Sequence, residues 1–183
     1  GLSKVSIQLI QQAICYMEEH IYENINYADV AKSVNMSNYN FHRIFSFIAG
    51  MTANEYIRNR RLTLAAQEIQ TTDISVIDVA YKYGYESPES FSKAFSRFHG
   101  STPRQAKKEG TKTYLVKDSL GNVTDEFKND ANLVWMPSIN SYKLNAKAGT
   151  YSVLFYVAGT YKGFEETRTN PPGCSPVAIK NGV

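Results

Sequence analysis

The sequence predicts a mainly α protein: a seven-helix domain with two helix-turn-helix units joined by a long helix, followed by a smaller β-rich segment. Three observations carry that expectation. The stretch from Ile25 to Thr52 recurs from Ile74 to Thr102, with Ile25, Asp29, Val30 and Ala31 falling on Ile74, Asp78, Val79 and Ala80 at an offset of 49. One inserted residue then makes the offset 50, so Phe41, Arg43, Phe45, Gly50 and Thr52 fall on Phe91, Lys93, Phe95, Gly100 and Thr102. Each copy sets apolar residues at helical spacing between its own capping residues. Beyond about Gly110 that spacing stops, and β-branched and aromatic runs replace it. The expected domains are therefore 1–110 and 111–183, with the boundary between Lys108 and Thr113.

From Lys4 to Asn24 the residues Val5, Leu9, Ala13, Met17 and Ile21 recur at a spacing of about four, which predicts an amphipathic helix burying that face. Asn26 can cap a short helix whose acidic Asp29 suits its positive end, with Ala28, Val30, Ala31 and Val34 turned inward. Asn35 tolerates the left-handed conformation that ends such a helix. Ser37 caps the next one, which buries Phe41, Ile44, Phe45 and Ile48 and stops at Gly50. Thr52 with Glu55 forms a capping box for a long helix running to about Thr71, on the order of 30 Å, the length of a spacer between two units. The second copy follows the same rules: Ser75 and Asp78 start a helix that Gly84 ends, and Ser87 and Pro88 start another with Phe91, Ala94, Phe95 and Phe98 inside. Thr102, Pro103 and Gln105 begin a last short helix. Tyr114 to Lys117, Leu133 to Met136 and Tyr151 to Val157 then read as strands, with Leu120-Gly121-Asn122 as a hairpin turn and Asn170-Pro171-Pro172-Gly173 as loop.

Composition narrows the function. With 43% hydrophobic and 13% aromatic residues the chain of 183 can bury an ordinary core. A net charge of +3 permits a nucleic-acid partner without demanding one, since a groove binder needs its basic residues grouped on one face. No apolar run reaches the roughly 18 residues of a membrane helix and no charged-then-apolar leader precedes Val5, so the expected location is the cytoplasm, with no membrane partner. The chain opens on Gly1 rather than Met, so the natural protein is expected to extend upstream. Cys15 and Cys174 stand far apart without a partner motif and are expected to be free thiols. His20, His42 and His99 sit singly, so no metal or other cofactor is implied.

The joining segment Tyr56-Ile57-Arg58-Asn59-Arg60-Arg61-Leu62, the run from Ile77 through Gly84 to Ser87, and the run Phe91-Ser92-Lys93-Ala94-Phe95 through Gly100 to Pro103 together resemble the DNA-binding domain of the AraC/XylS transcription regulators. The resemblance spans residues from about Val5 to Lys108. It implies seven helices, with the second helix of each unit lying in a major groove of double-stranded DNA, and a regulator, expected to be an activator, that inserts both into adjacent grooves.

The residues themselves supply matching candidates. With Phe41, Ile44 and Phe45 inward, the first unit presents Asn38, Tyr39, Asn40, His42 and Arg43. Arg43 can pair bidentately with guanine, Asn38 or Asn40 with adenine, and Tyr39 can pack on a thymine methyl or bond a phosphate. The plain alternative for each is a solvated polar face or a phosphate contact. The second unit presents Ser87, Pro88, Glu89, Ser90 and Lys93. Pro88 has no donor, Glu89 costs affinity beside phosphates unless it accepts from cytosine, and Lys93 stands where the family often has arginine, so anchoring through phosphates and shape is expected there. Ser37, Arg58, Arg60, Arg61 and Arg97 are the expected phosphate contacts, with Glu55 as an alternative partner for one arginine of the spacer.

In the C-terminal segment, Ala148 to Val153 followed by Gly159-Thr160-Tyr161 and Phe164 to Thr167 is similar to one strand-and-turn unit of the GyrI-like effector-binding domain. That likeness implies a small-molecule effector and a cleft that Tyr151, Phe155 and Tyr161 could line, with strand-core packing as the other use of those residues. Some AraC/XylS relatives carry a DNA-alkyl-acceptor domain whose nucleophilic cysteine precedes histidine and arginine. Cys174 precedes Ser175 and Pro176, so no base stands beside it and no enzyme activity is expected. The alternatives are a protein-interaction module contacting RNA polymerase or another regulator and such a DNA alkyl-acceptor repair protein, and the chain could act as monomer or dimer.

Overall fold

The computed structural model describes residues 4–109 and, beyond them, the backbone of strands between 114 and 178. Seven helices are described: α1 Lys4–Glu19, α2 Tyr27–Ser33, α3 Asn38–Ala49, α4 Ala53–Thr71, α5 Val76–Lys82, α6 Pro88–His99 and α7 Pro103–Glu109.

Local chemistry accounts for where they start. Asn26 accepts from the N–H groups of Ala28 and Asp29 while the Asp29 carboxylate accepts from the Asn26 N–H, a reciprocal capping box. Thr52 and Glu55 repeat it at α4, and Thr102 and Gln105 at α7. Ser37, Ser75 and Ser87 cap the others. The repeat thus runs into a third helix, α7 echoing the start of α4. Asn35 (φ 55°) and Gly84 (φ 83°) both take the left-handed conformation that turns the chain between the two helices of their units. In each turn the next amide returns to the preceding helix, Met36 N–H to Ala31 O and Tyr85 N–H to Ala80 O, both at 3.0 Å. The offset of 49 therefore holds through Tyr85, and the inserted residue is Glu86.

The buried face of α1 is Ile10, Ala13, Ile14 and Met17, with Ile21 just beyond it. Val5 is exposed and Leu9 only partly covered, against the expectation. A strict spacing of four advances about 40° per step beyond a full turn, so that row spirals off the face.

α4 joins the two units, as expected of the long helix. Its 19 residues span about 28 Å, the expected spacer length, and it also forms the centre of the core. Every residue from Leu62 to Ile69 is buried, including Thr63, Gln67 and Glu68. Both units pack on it, so it has no single apolar face. Phe45 meets the edge of Tyr56 at 6.1 Å in the first unit, while Phe95 lies 4.4 Å from the ring of His99 in the second.

Beyond α7 the described strands are β1 Tyr114–Lys117, β2 Val123–Phe127, β3 Leu133–Met136, β4 Ser141–Leu144, β5 Gly149–Val157, β6 Thr160–Tyr161, β7 Glu165–Asn170 and β8 Val177–Ala178. One antiparallel sheet runs β2-β1-β5-β7-β8 with β6 on the end of β5, and β3 pairs with β4. The Leu120-Gly121-Asn122 turn, the Pro171-Pro172-Gly173 loop, Cys174 and the side chains of Tyr151, Phe155 and Tyr161 lie outside the described residues. Cys15 is disulfide-bonded, which corrects the free-thiol expectation for that residue. Sequence separation had been its basis, and separation along a chain does not bound distance in the fold.

Candidate nucleic-acid interface

On α3 the two Phe side chains 41 and 45 point into the core, which leaves Asn38, Tyr39, Asn40, His42 and Arg43 exposed on the opposite side near the helix start. Ser37 Oγ is engaged by the Asn40 N–H at 3.2 Å, so the first turn is held from within. Tyr39 is 75% exposed and has no packing to hold its ring away from a partner. His42 meets the ring of Tyr27 edge-on at 6.1 Å, and the Tyr27 N–H donates to Asn54 Oδ1 at 3.0 Å. Tyr27, Asn38, Tyr39, His42 and Asn54 line a groove of about 460 Å³ beside the helix. The structure thus brings Asn38, Tyr39 and His42 to one groove, and leaves Asn40 and Arg43 exposed outside its lining.

On α6 the equivalent face carries Glu89, Ser90 and Lys93, all exposed, with Pro88 half-covered. Ser87 Oγ accepts from the Ser90 N–H (3.1 Å) and donates to Ser90 Oγ (3.2 Å), while Ser90 Oγ donates to Ser87 O (2.9 Å). Both hydroxyls are thus engaged inside the cap. Arg97 is exposed.

Sequence reasoning missed Phe47, which is 76% exposed. It completes an outward ladder Tyr39, Arg43, Phe47 at spacings of four, whose counterparts 50 residues on are Glu89, Lys93 and Arg97. The spacing was legible; an apolar residue on a solvent face was not expected.

The arginines of α4 separate into three roles. Arg58 is exposed and lines, with Asn54, Arg61 and Tyr85, a groove of about 370 Å³ between the units. Arg60 is 1% exposed and its Nε donates to Glu18 Oε1 at 2.7 Å, so it holds α4 to α1 and cannot be the phosphate contact expected of it. Arg61 is half-buried, donating through Nε to Ile21 O at 2.8 Å and through Nη2 to Glu23 O at 2.5 Å. Those bonds spend its fork on backbone carbonyls. Burial lowers the Arg61 pKa and raises that of the Tyr85 hydroxyl, the latter partly offset by the guanidiniums of Arg58 and Arg61.

Two buried groups fix the scaffold behind this face. His99 Nε2 lies 2.9 Å from Leu62 O, a carbonyl that can only accept, so Nε2 carries the hydrogen. Burial lowers the His99 pKa to about 4, against a weaker opposing pull from that bond, and the ring is neutral near pH 7. Glu68, 3% exposed, accepts from Lys82 Nζ at 2.6 Å and from the Tyr83 hydroxyl at 3.0 Å. Among the described residues no cluster of His, Cys, Asp and Glu could hold a metal, and no helix is long and apolar enough to cross a membrane.

Residues 30–109 match a family model described as a helix-turn-helix domain. The chain is similar to the regulatory protein SoxS of Salmonella typhimurium, 41% identical over 96 residues that make up 52% of this chain and 90% of that one. It is also similar to the transcriptional activator AarP of Providencia stuartii, 36% identical over 95 residues, 52% of this chain and 70% of AarP. Among solved structures it resembles an AraC-type regulator from Chromobacterium violaceum, with TM-score 0.55 and 26% identity over 58% of this chain and 96% of that one. It likewise resembles the DNA-binding domain of AdpA in complex with a target DNA, with TM-score 0.50 and 26% identity over 54% of this chain and 88% of that one.

Proposed function

The chain belongs to the AraC/XylS family of DNA-binding transcription regulators, and from that premise we propose that it reads a bipartite site with unequal halves. α3 enters one major groove and reads bases through Arg43, with Asn38, Asn40, Tyr39 and His42 around it; α6 enters the next and anchors through Lys93, with Arg97 and Arg58 on phosphates. One observation carries this reading: the outward face of α3 is open and rich in side chains suited to base edges, while that of α6 places Glu89 in the same ladder and locks Ser87 and Ser90 in a cap. The protein acts as an activator, as AarP is named. The strands beyond α7 answer a small-molecule effector.

The full chain is offered random double-stranded DNA and the retained pool is sequenced. Two enriched half-sites about one helical turn apart are expected, with affinity falling linearly on logarithmic axes as salt rises. A pool without a paired motif overturns the proposal. A protein contact, with RNA polymerase as partner, is a second reading supported by Ile77 and Tyr81, both 56% exposed and one turn apart on α5.

A further inference from the structure

A chain of polar contacts crosses from the first unit to the second. Tyr22 lies in the segment between α1 and α2, and its hydroxyl is 3.1 Å from that of Tyr83, the residue that caps α5. The single hydrogen of Tyr83 goes to Glu68 Oε2, so Tyr22 must be the donor in the first bond. Glu68 also receives Lys82 Nζ, which lies 4.8 Å above the ring of Tyr22 and so closes the circuit. The two tyrosine rings meet edge to face at 5.0 Å. Arg61 holds the same segment from α4 through the carbonyls of Ile21 and Glu23. The entry to the first unit, the end of α4 and the turn of the second unit therefore meet in one largely buried polar knot.

Apolar packing is non-directional and lets helices settle at neighbouring angles, whereas a satisfied buried network accepts one. The tolerance that matters on DNA is small. With recognition helices about 34 Å apart, a relative rotation of only about 6° displaces one of them by about 3.4 Å, the rise of one base pair.

Resting on the bipartite reading above, we infer that the Tyr22–Tyr83–Glu68–Lys82 knot sets the angle between the two units and thereby the half-site spacing that the protein accepts. Its members are positioning residues: they stand behind the interface and act through α3 and α6. Burial raises the pKa of both tyrosine hydroxyls further above the neutral range, where they are protonated in any case.

The test uses the full chain and a pool in which the two half-sites enriched by the wild type are separated by every spacing within a few base pairs of the preferred one. The wild type retains one spacing. Glu68→Gln and Tyr22→Phe retain neighbouring spacings as well, their share relative to the optimum rising about tenfold or more for the first, which loses a charge-assisted hydrogen bond, and about fivefold for the second, which loses a neutral one. Base preferences within each half-site stay the same, and Lys82→Arg, which keeps the charge, keeps the single spacing. Tyr22→Phe loses one hydroxyl and keeps its ring, so it reports even where Glu68→Gln does not fold. A folded Tyr22→Phe protein with wild-type spacing selectivity overturns the inference. A wild type that enriches no paired half-sites overturns the bipartite reading and this role with it.

Discussion

Seen from solvent, α3 offers Tyr39, Arg43 and Phe47 in one ladder and α6 offers Glu89, Lys93 and Arg97 in its counterpart. Seen from the core, the same helices bury Phe41 and Phe45, and Phe91 and Phe95. Caps, left-handed turn residues and inward aromatics repeat because the backbone geometry of a helix-turn-helix admits few alternatives. The outward ladders are free of that constraint, and there one copy is aromatic with a single arginine while the other is ionic with an acid at its head. The duplicated scaffold thus carries two chemically different outward faces, which the proposed function assigns to a reader and an anchor.

The largest expected effect falls on the helix that both units share. Arg60→Ala leaves Glu18 partly buried without its guanidinium and should cost about 3–5 kcal/mol in denaturant melts. Arg58→Ala, one residue pair earlier on the same helix, should leave the melt unchanged and lower the slope of log affinity against log salt by about one. Equal effects of the two would return Arg60 to the interface.

Acid distinguishes the units next. Ala49 stands in the first unit where His99 stands in the second. The folded pKa of His99, about 4, lies below its ordinary 6.5, so the unfolded chain takes up the proton first. Its contribution is complete above pH 6.5 and is lost as pH falls toward 4, amounting to about 3 kcal/mol. Urea melts at pH 7.5 and 4 should show that loss, and His99→Leu should remove the His99 share of it while leaving any carboxylate share in place.

At the interface, Arg43→Ala should weaken binding by about 1–3 kcal/mol and flatten base preference in its half-site, whereas Lys93→Ala should weaken all sequences alike and reduce the salt slope by about one. Fluorescence titrations on a panel of single-base variants distinguish the two patterns. The smallest effect is Glu89→Gln, which should raise affinity by less than about tenfold at low salt by removing an acid from beside phosphates.

Much of this fold was legible because its signals are local. Asn26, Ser37, Thr52, Ser87 and Thr102 announce helix starts within four residues of the groups they bond, and Asn35 and Gly84 mark turns by their own conformational freedom. The exposed candidates on α3 followed from the inward phenylalanines by helical geometry alone. What was not legible depends on partners distant in sequence. Arg60 looks like its neighbours Arg58 and Arg61 until Glu18, 42 residues away, is seen to bury it. Glu68, Thr63 and Gln67 give α4 a polar pattern suited to a surface, and only the packing of two units around one helix puts them inside. The hydroxyls of Ser87 and Ser90 are engaged with each other and with the Ser87 carbonyl in the α6 cap, a matter of side-chain rotamers rather than residue type.

The central claim is the inequality of the two units, and the most direct measure of it is the base-by-base information in each half of the site that the wild-type chain enriches from random DNA. Several strongly preferred bases are expected in one half, erased by Arg43→Ala, beside a weakly determined second half that Lys93→Ala leaves unaltered. Two halves of equal information, each erased by its own substitution, would contradict it.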